Sequence, residues 1–188
     1  MLVVAWVLAA LRHGGPYPLL AISGEQGSSK TVFSKLLRAL VDPNVAPART
    51  APREERDLFI AASNGHFLAF DNLSDIPPWN SDALCRLASG GSSAVRQLYT
   101  DCDEVLFQAA RPATLNGIED IITRPDLADR AILLTLPYIP ETERRPESAI
   151  WREFEAARPQ ILGACLEAKS HGLRTLSGGL PEAASSHG

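Results

Sequence analysis

An excess of basic residues is missing from this sequence, and cysteine is scarce. Its 188 residues include 18 Lys and Arg against 22 Asp and Glu, which gives a net charge of −4. A nucleic-acid partner would therefore need a local basic patch or the combined surface of an assembled ring. The three cysteines, Cys85, Cys102 and Cys165, are odd in number and lack metal-ligand spacing. This usage favours a reducing cytoplasm over a disulfide scaffold.

Long hydrophobic runs are also missing. The apolar opening, residues 2–11, is too short to cross a bilayer and lacks the flanks of a secretory signal. We expect it to form a helix packed on the core. Since this stretch begins directly at Met1, we also expect the chain to be a fragment or a short version of a longer protein. The remaining composition, 45% hydrophobic, is enough for one principal domain.

One stretch organises the chain, residues 19–31 with the sequence LLAISGEQGSSKT. Its apolar start predicts a short buried strand, and residues 32–40 predict an amphipathic helix after the loop. A phosphate-binding P-loop requires this strand–loop–helix context. An ordinary turn is the alternative, because the loosened pattern also occurs by chance. The predicted nucleotide-binding positions are Gly24, Glu25, Gln26, Gly27, Ser28, Ser29, Lys30 and Thr31.

The residue types explain the chemistry of this loop. Gly24 and Gly27 let the backbone curl so that several N–H groups point at phosphate oxygens, near the positive end of the next helix. Lys30 would reach the β- and γ-phosphates of ATP, and the Thr31 hydroxyl would be a ligand of Mg²⁺. Ser29 stands where the P-loop pattern has its second glycine, and a serine can keep the shape of the loop if its φ is negative, which the sequence does not decide.

The rest of the chain predicts alternating helices and strands. We predict helices at 53–64, 81–87 (capped by Asn80 or Ser81) and 147–171, the last interrupted at Pro159, with a helical turn at 126–129. Strands are predicted at 66–72, 95–99, 105–109, 113–117 and 131–136, with a flexible loop at 90–93. We divide the chain into an ATPase core at 1–140, a helical segment at 141–175 and a disordered tail at 176–188.

Three further side chains match what a P-loop needs. Asp71 ends an apolar strand in the manner of a Walker B aspartate, where it would hold Mg²⁺ through water beside Thr31. Asn116 ends another apolar strand, where its amide could hold the attacking water or touch the γ-phosphate. Arg130 follows shortly after. Taken singly, Asp71 has an ordinary core strand ending at a polar residue as its alternative, Asn116 is more often a turn residue, and an arginine such as Arg130 is usually a solvated surface charge.

The order of these pieces resembles superfamily 3 helicases, especially the AAA+ ATPase domain of phage, plasmid and poxvirus-type primase-helicases. Between the P-loop and residue 137, the matching pieces are LASGG at 87–91, RQLYT at 96–100, LNG at 115–117, and Asp129-Arg130 before a strand. The resemblance implies an α/β fold: a three-layer P-loop sandwich with a mostly parallel sheet, plus N- and C-terminal helices. It also implies ATP bound between ring subunits, with Asn116 as sensor 1 and Arg130 as an arginine finger acting across the interface.

Two positions depart from that family. Asn72 stands where a second carboxylate usually polarises the attacking water, and an amide cannot act as a base at neutral pH. Asp75 or Glu25 could substitute. The predicted hairpin tip, DCDE at 101–104, is acidic where such helicases carry a basic or aromatic residue, and it would repel phosphates. Arg96 is then the nearest candidate for contact with single-stranded DNA.

The leading hypothesis is an ATP-binding, ATP-hydrolysing AAA+ module of a mobile-element DNA replication protein, using ATP and Mg²⁺ and forming a homo-oligomeric ring away from membranes. Its catalytic residues would be Lys30, Asp71, Asn116 and Arg130, with Thr31 and Asp71 at the metal. The missing carboxylate and the acidic tip favour a second hypothesis, an ATP-dependent switch or assembly module with slow turnover. A small P-loop kinase is the weakest alternative, because it needs an arginine-bearing lid and no sensor asparagine.

Overall fold

The computed structural model describes residues 1–96, 104–117 and 121–177. The strands are β1 (Leu19–Ser23), β2 (Leu68–Leu73), β3 (Ser92–Arg96), β4 (Glu104–Gln108), β5 (Ala113–Gly117) and β6 (Ala131–Thr135). The α-helices are α1 (Leu2–Ala10), α2 (Lys30–Val41), α3 (Glu55–Ser63), α4 (Pro78–Ser89), α5 (Pro125–Ala128) and α6 (Glu147–Ser177). A short 3-10 helix, Glu141–Glu143, precedes α6. Helices and strands alternate along much of the chain, as parallel strands require of their connections.

Four strands form an all-parallel sheet in the order β2-β5-β1-β6. Strand β1 is central: Ile22 lies opposite Asn116 of β5, and Leu19 lies opposite Ala131 of β6. Because the strands are parallel, their carboxyl ends all lie at one edge of the sheet. Arg49 adds an isolated parallel bridge to Phe70 at the outer side of β2. Strands β3 and β4 form a separate antiparallel pair, so the predicted pairing is confirmed, while residues 97–103, which include most of the predicted first strand and turn, lie outside the described residues.

Helices cover both faces of this sheet, and the alternation of side chains along β1 assigns a cluster to each face. Leu20 and Ile22 pack with Trp6, Leu37 and Cys165, which come from α1, α2 and α6. On the opposite face, Leu19 packs in a cluster with residues of α3, α4 and α5, among them Leu58, Leu84, Leu87 and Leu127. The predicted three-layer α/β sandwich with a parallel sheet is therefore confirmed.

Helix α1 packs on the core through one side, as predicted for the apolar opening. The Trp6 indole Nε1 donates a hydrogen bond to the Pro18 carbonyl at 2.7 Å. Its ring meets Phe67 edge-on, with centroids 5.4 Å apart. Leu2 and Val4, on the remaining surface of the helix, are exposed. Among the described residues, none of the helices combines the length and the hydropathy that crossing a membrane requires.

Helix α4 begins earlier than the sequence predicts. Its N-cap is Pro77, and Pro78 occupies the first helical position, where a missing N–H costs no intrahelical hydrogen bond. Asn80 and Ser81 are buried within the first turn, so their predicted capping role is wrong. The predicted flexible loop at 90–93 is also too long, because β3 already begins at Ser92.

Helix α6 continues through Pro159, so the predicted interruption there is wrong. A proline inside a helix removes one N–H donor and crowds the carbonyl four residues earlier, that of Glu155. Both residues are exposed, so water can satisfy the freed carbonyl. Farther along, Cys165 is buried in the core and Lys169 Nζ donates to the Leu11 carbonyl at 2.6 Å. The helix extends to Ser177, and the rest of the predicted tail, residues 178–188, lies outside the described residues.

Candidate nucleotide-binding site

The loop between β1 and α2 curls through three residues with positive φ: Gly24 at +148°, Gly27 at +90° and Ser29 at +60°. A Cβ on Gly24 would lie 2.7 Å from the Leu136 carbonyl oxygen, so a side chain does not fit there. Ser29 does not have the negative φ at which a serine would keep the loop without strain. This serine adopts the left-handed conformation itself, at a cost of roughly 1–2 kcal/mol for a residue with a Cβ. The loop thus keeps its curled path without the second glycine.

Lys30 folds back over the loop that it follows. Its Nζ donates to the carbonyl oxygens of Gly24 at 2.7 Å and Glu25 at 2.9 Å, and to Ser28 Oγ at 3.3 Å. All three acceptors are neutral. Among residues 1–96, 104–117 and 121–177, Lys30 forms no ion pair with a carboxylate, so its charge remains available to an anion in the loop.

Thr31 and Asp71 join the P-loop helix to the neighbouring part of the sheet. Thr31 Oγ1 donates a hydrogen bond to Asp71 Oδ1 at 2.9 Å. Hydroxyl and carboxylate oxygens are the hard donors that Mg²⁺ prefers, and this ion commonly keeps waters and phosphate oxygens as its other ligands. Within the described part of the chain, no group of three or more His, Cys, Asp or Glu side chains could hold a metal alone. These residues therefore fit a nucleotide-bound Mg²⁺.

Asn116 brings the end of β5 into the same place. Its Oδ1 accepts a hydrogen bond from the Asn72 N–H at 2.8 Å. Asn72 has a φ of +56°, and the register of β2 shifts between Phe70 and Leu73, so this backbone bulges toward β5. The Asn116 side chain is buried, and its Nδ2 has no hydrogen-bond partner among the described residues. Leaving such a donor unpaired costs about 1–3 kcal/mol, which a bound ligand could recover.

A buried hydroxyl pair lies just behind these side chains. Ser34 Oγ on α2 and Thr114 Oγ1 on β5 are 2.8 Å apart, and both residues are at most 1% exposed. Ser34 lies about one turn after Lys30, and Thr114 lies two residues before Asn116. The pair thus links the helix that carries the lysine to the strand that carries the asparagine.

Seven of the predicted site residues line one pocket of about 570 Å³, whereas Gly24, Glu25, Ser28 and Arg130 do not line it. On its sheet side lie Gln26, Gly27, Ser29, Lys30, Thr31, Val32, Asp71, Asn72, Asn116 and Gly117. Its far side is formed by the segment after β6 and the start of α6: Ile139, Glu143, Arg144, Arg145 and Ile150. Sequence reasoning missed this far side. The available signal was a pair of arginines between Pro140 and Pro146, in a stretch without helix or strand periodicity.

Arg144 lies directly against the loop. A Cβ on Gly27 would collide with the end of this side chain in its present position, so a larger residue there would make the guanidinium shift. The guanidinium carbon is 5.4 Å from the centroid of the Tyr138 ring, and Nη2 donates to the Tyr138 hydroxyl at 3.2 Å. Its Nε donates to the Ile139 carbonyl at 3.1 Å. The next residue differs: Arg145 pairs with Glu153, and its hydrogen bond holds the pKa of Glu153 below the ordinary value.

The carboxylates expected to replace the missing one do not line the pocket. Asp75 Oδ1 accepts a hydrogen bond from the Ile76 N–H at 2.8 Å, and Glu25 is exposed and absent from the lining. Among the described residues, Asp71 and Glu143 are the carboxylates in the lining. Any general base other than these two would have to come from outside the described pocket.

Arg130 lies at the amino ends of the parallel strands, whereas the pocket of its own chain lies at their carboxyl ends. It precedes Ala131, which pairs with the first residue of β1, whereas the P-loop follows the last. Its Nη1 donates to the Asp126 carbonyl oxygen at 2.7 Å. The Asp126 carboxylate is engaged by Arg124 at 3.1 and 2.9 Å, and these bonds lower the pKa of Asp126. Arg130 therefore cannot reach the pocket of its own chain.

The candidate DNA-contacting region is described in part. Arg96 ends β3 opposite Glu104 of β4. The acidic tip between them, residues 101–103, lies outside the described residues. The DNA contact expected at Arg96 therefore stays a prediction.

Solved structures of a viral helicase are similar to this chain. One, JC virus helicase with a small molecule bound, has a TM-score of 0.48 and 15% identity, over 86% of this chain and 46% of the helicase chain. A second, inhibitor-bound JC virus helicase, has a TM-score of 0.39 and 14% identity, over 97% and 62% of the two chains. This chain thus spans less than two thirds of either helicase chain.

A comparison with curated proteins finds none that matches this chain. A family model does match, across residues 1–182, and its description is "Actinomycete integrative conjugative element replication protein". Because that match covers nearly the whole sequence, the chain belongs to the family of replication proteins of actinomycete integrative conjugative elements.

Proposed function

We propose that this replication protein is an ATP-binding and ATP-hydrolysing AAA+ module that acts on the element's DNA in the cytoplasm. The observation that carries the proposal is the 2.9 Å hydrogen bond between Thr31 and Asp71. It joins the residue after the P-loop lysine to the carboxylate that ends the apolar part of β2. A chance turn between a strand and a helix has no reason to place these two oxygens together.

Each side chain has a role in this proposal. The curled loop and Lys30 hold the phosphates, while Thr31 and Asp71 hold Mg²⁺ directly or through water. The metal supplies charge neutralisation on the β- and γ-phosphates when it is bound. The free Nδ2 of Asn116 donates to the γ-phosphate or to the attacking water. Arg130 serves the site of a neighbouring subunit in a ring, since it is remote from its own.

The test is nucleotide binding by Lys30→Ala, measured by titration calorimetry with ATP and Mg²⁺. We expect this change to abolish measurable binding, because the lysine is the charged group inside the loop. The fold should be retained, since the lysine lies in a loop-facing position and contributes little to the core. Lys35→Ala is the matched control: it lies on the same helix, does not line the pocket and pairs with Glu147 at 3.6 Å. Unchanged ATP affinity in a folded Lys30→Ala protein would remove the P-loop interpretation.

A second candidate function is an ATP-dependent switch or assembly module with slow turnover. Slow turnover is favoured because Asn72, an amide, stands at the usual place of the catalytic carboxylate. It is also favoured because Asp75, a possible substitute, accepts a hydrogen bond from the Ile76 N–H and does not line the pocket. ATP turnover with and without single-stranded DNA separates the two candidates. The mass of the assembly with and without ATP and Mg²⁺ tests the ring, which both candidates share.

A further inference from the structure

We propose that Arg144 is a second cationic ligand for the phosphates of ATP, supplied by the same chain as the P-loop. This inference rests on the function proposed above. Arg144 lies between β6 and α6, more than a hundred residues from the loop in sequence, yet its guanidinium is seated against Gly27. The arginine finger assigned to Arg130 would come from a neighbour, so Arg144 adds a separate contact within the subunit.

The charge of Arg144 is not neutralised in the described structure. Its side-chain hydrogen bonds go to a carbonyl and a hydroxyl, and it forms no ion pair with any carboxylate among residues 1–96, 104–117 and 121–177. Glu143 lines the same pocket, but its carboxylate is not within ion-pair distance of the Arg144 guanidinium. Arg145, one residue along, is already paired with Glu153. Lys30 likewise meets neutral oxygens only, so two uncompensated cations border one loop.

The geometry of Arg144 suits phosphate oxygens. The Tyr138 ring supports the guanidinium from one side, and the Ile139 carbonyl fixes its Nε, so little side-chain entropy remains to be lost. A planar guanidinium presents paired N–H groups that match two phosphate oxygens at once. Gly27 has no Cβ to keep the guanidinium away from the loop whose N–H groups hold the phosphates. Arg144 therefore contacts the phosphate chain and not the base.

The experiment measures displacement of a fluorescent ATP analogue by ATP and by inorganic tripolyphosphate, which has no base or ribose. Arg144→Ala should weaken both competitors by the same factor, about 10- to 100-fold, the usual range for a hydrogen bond to a charged group. Arg144→Lys should recover part of that loss, since it restores charge without the planar fork. Arg152→Ala, at an exposed arginine on α6 outside the pocket, should bind both competitors as the unchanged protein does.

The outcomes separate this inference from the proposed function. Equal affinity of Arg144→Ala and the unchanged protein, while Lys30→Ala loses binding, would overturn the role of Arg144 and leave the P-loop intact. A loss seen with ATP but not with tripolyphosphate would assign Arg144 to the base or ribose, which also overturns the proposal. If the unchanged protein binds neither competitor, the proposed function itself fails. Circular dichroism of each variant verifies that a loss does not arise from unfolding. We expect Arg144→Ala to keep its fold, because Arg144 is exposed and not part of the core.

Discussion

Replacing Arg130 by alanine distinguishes a ring ATPase from a monomeric switch. Arg130 precedes Ala131, which is level with Leu19, while the P-loop begins after Ser23; the strand from Leu19 to Ser23 places about 13 Å between them. Exposed charges at that separation are largely screened at physiological ionic strength, where the Debye length is about 8 Å. The charge of Arg130 therefore adds little to its own site, and we expect ATP affinity to change by less than about twofold.

The effect on turnover should be far larger. An arginine finger acting in trans contributes about 10³–10⁵ in rate, so Arg130→Ala should remove most ATP hydrolysis. The fold should survive, since the exposed side chain makes a single hydrogen bond within the described part of the chain, to the Asp126 carbonyl, worth about 0.5–1.5 kcal/mol. Arg158→Ala is the control: it removes a surface arginine on α6 that pairs with Glu155, and its turnover should stay unchanged.

Mixing two inactive variants tests the trans assignment directly. Lys30→Ala subunits keep the finger, and Arg130→Ala subunits keep the loop. In an equal mixture about one interface in four combines the intact halves, so about a quarter of the normal turnover should return. The assay is phosphate release at saturating ATP, on each variant alone and on the mixture. Normal turnover by Arg130→Ala alone would refute the assignment. If turnover does not recover in the mixture, Arg130 of one subunit and the loop of its neighbour do not form one site.

Three further substitutions test the pocket. Asp71→Asn should retain nucleotide binding but lose Mg²⁺-dependent turnover, because the metal loses its carboxylate anchor; persistence of turnover in a Mg²⁺ titration would contradict this. Asn72→Glu should raise the rate of phosphate release if the missing carboxylate limits it, and a flat rate would direct attention to Glu143. Ser29→Gly should raise the free energy of unfolding by up to about 1 kcal/mol, since relief of left-handed strain outweighs the added freedom of the unfolded chain. A lower urea midpoint would contradict that last expectation.

The sequence allowed the central site to be predicted because its signals are local or follow from parallel strands. The apolar run before Gly24 and the amphipathic run after Thr31 predicted β1 and α2. Asp71 and Asn116 each end an apolar run, and the carboxyl ends of parallel strands share an edge. The prediction of a mobile-element replication protein is confirmed by the family match.

The rest depended on tertiary contacts or on single backbone angles. Arg144 reaches Gly27 only because the chain returns over the loop after β6, and no periodicity marks residues 138–146. The left-handed φ of Ser29 is decided by the loop around it and not by propensity, which disfavours it, whereas Asn72 is of a residue type that adopts this φ more readily. Pro159 predicted a break in α6, yet an exposed surface and the anchoring of Cys165 let the helix continue.

The hydroxyl pair between Ser34 and Thr114 has a mechanical consequence. Sliding α2 along β5 would separate two buried hydroxyls that are 2.8 Å apart and leave each without a partner, at about 1–3 kcal/mol per group. Lys30 lies on α2 and Asn116 lies on β5. We therefore expect the two residues to move together, as parts of one rigid body. In the ring ATPase proposed above, we expect the hinges of any movement during turnover to lie outside this block, and the force to reach other subunits through elements that move around it.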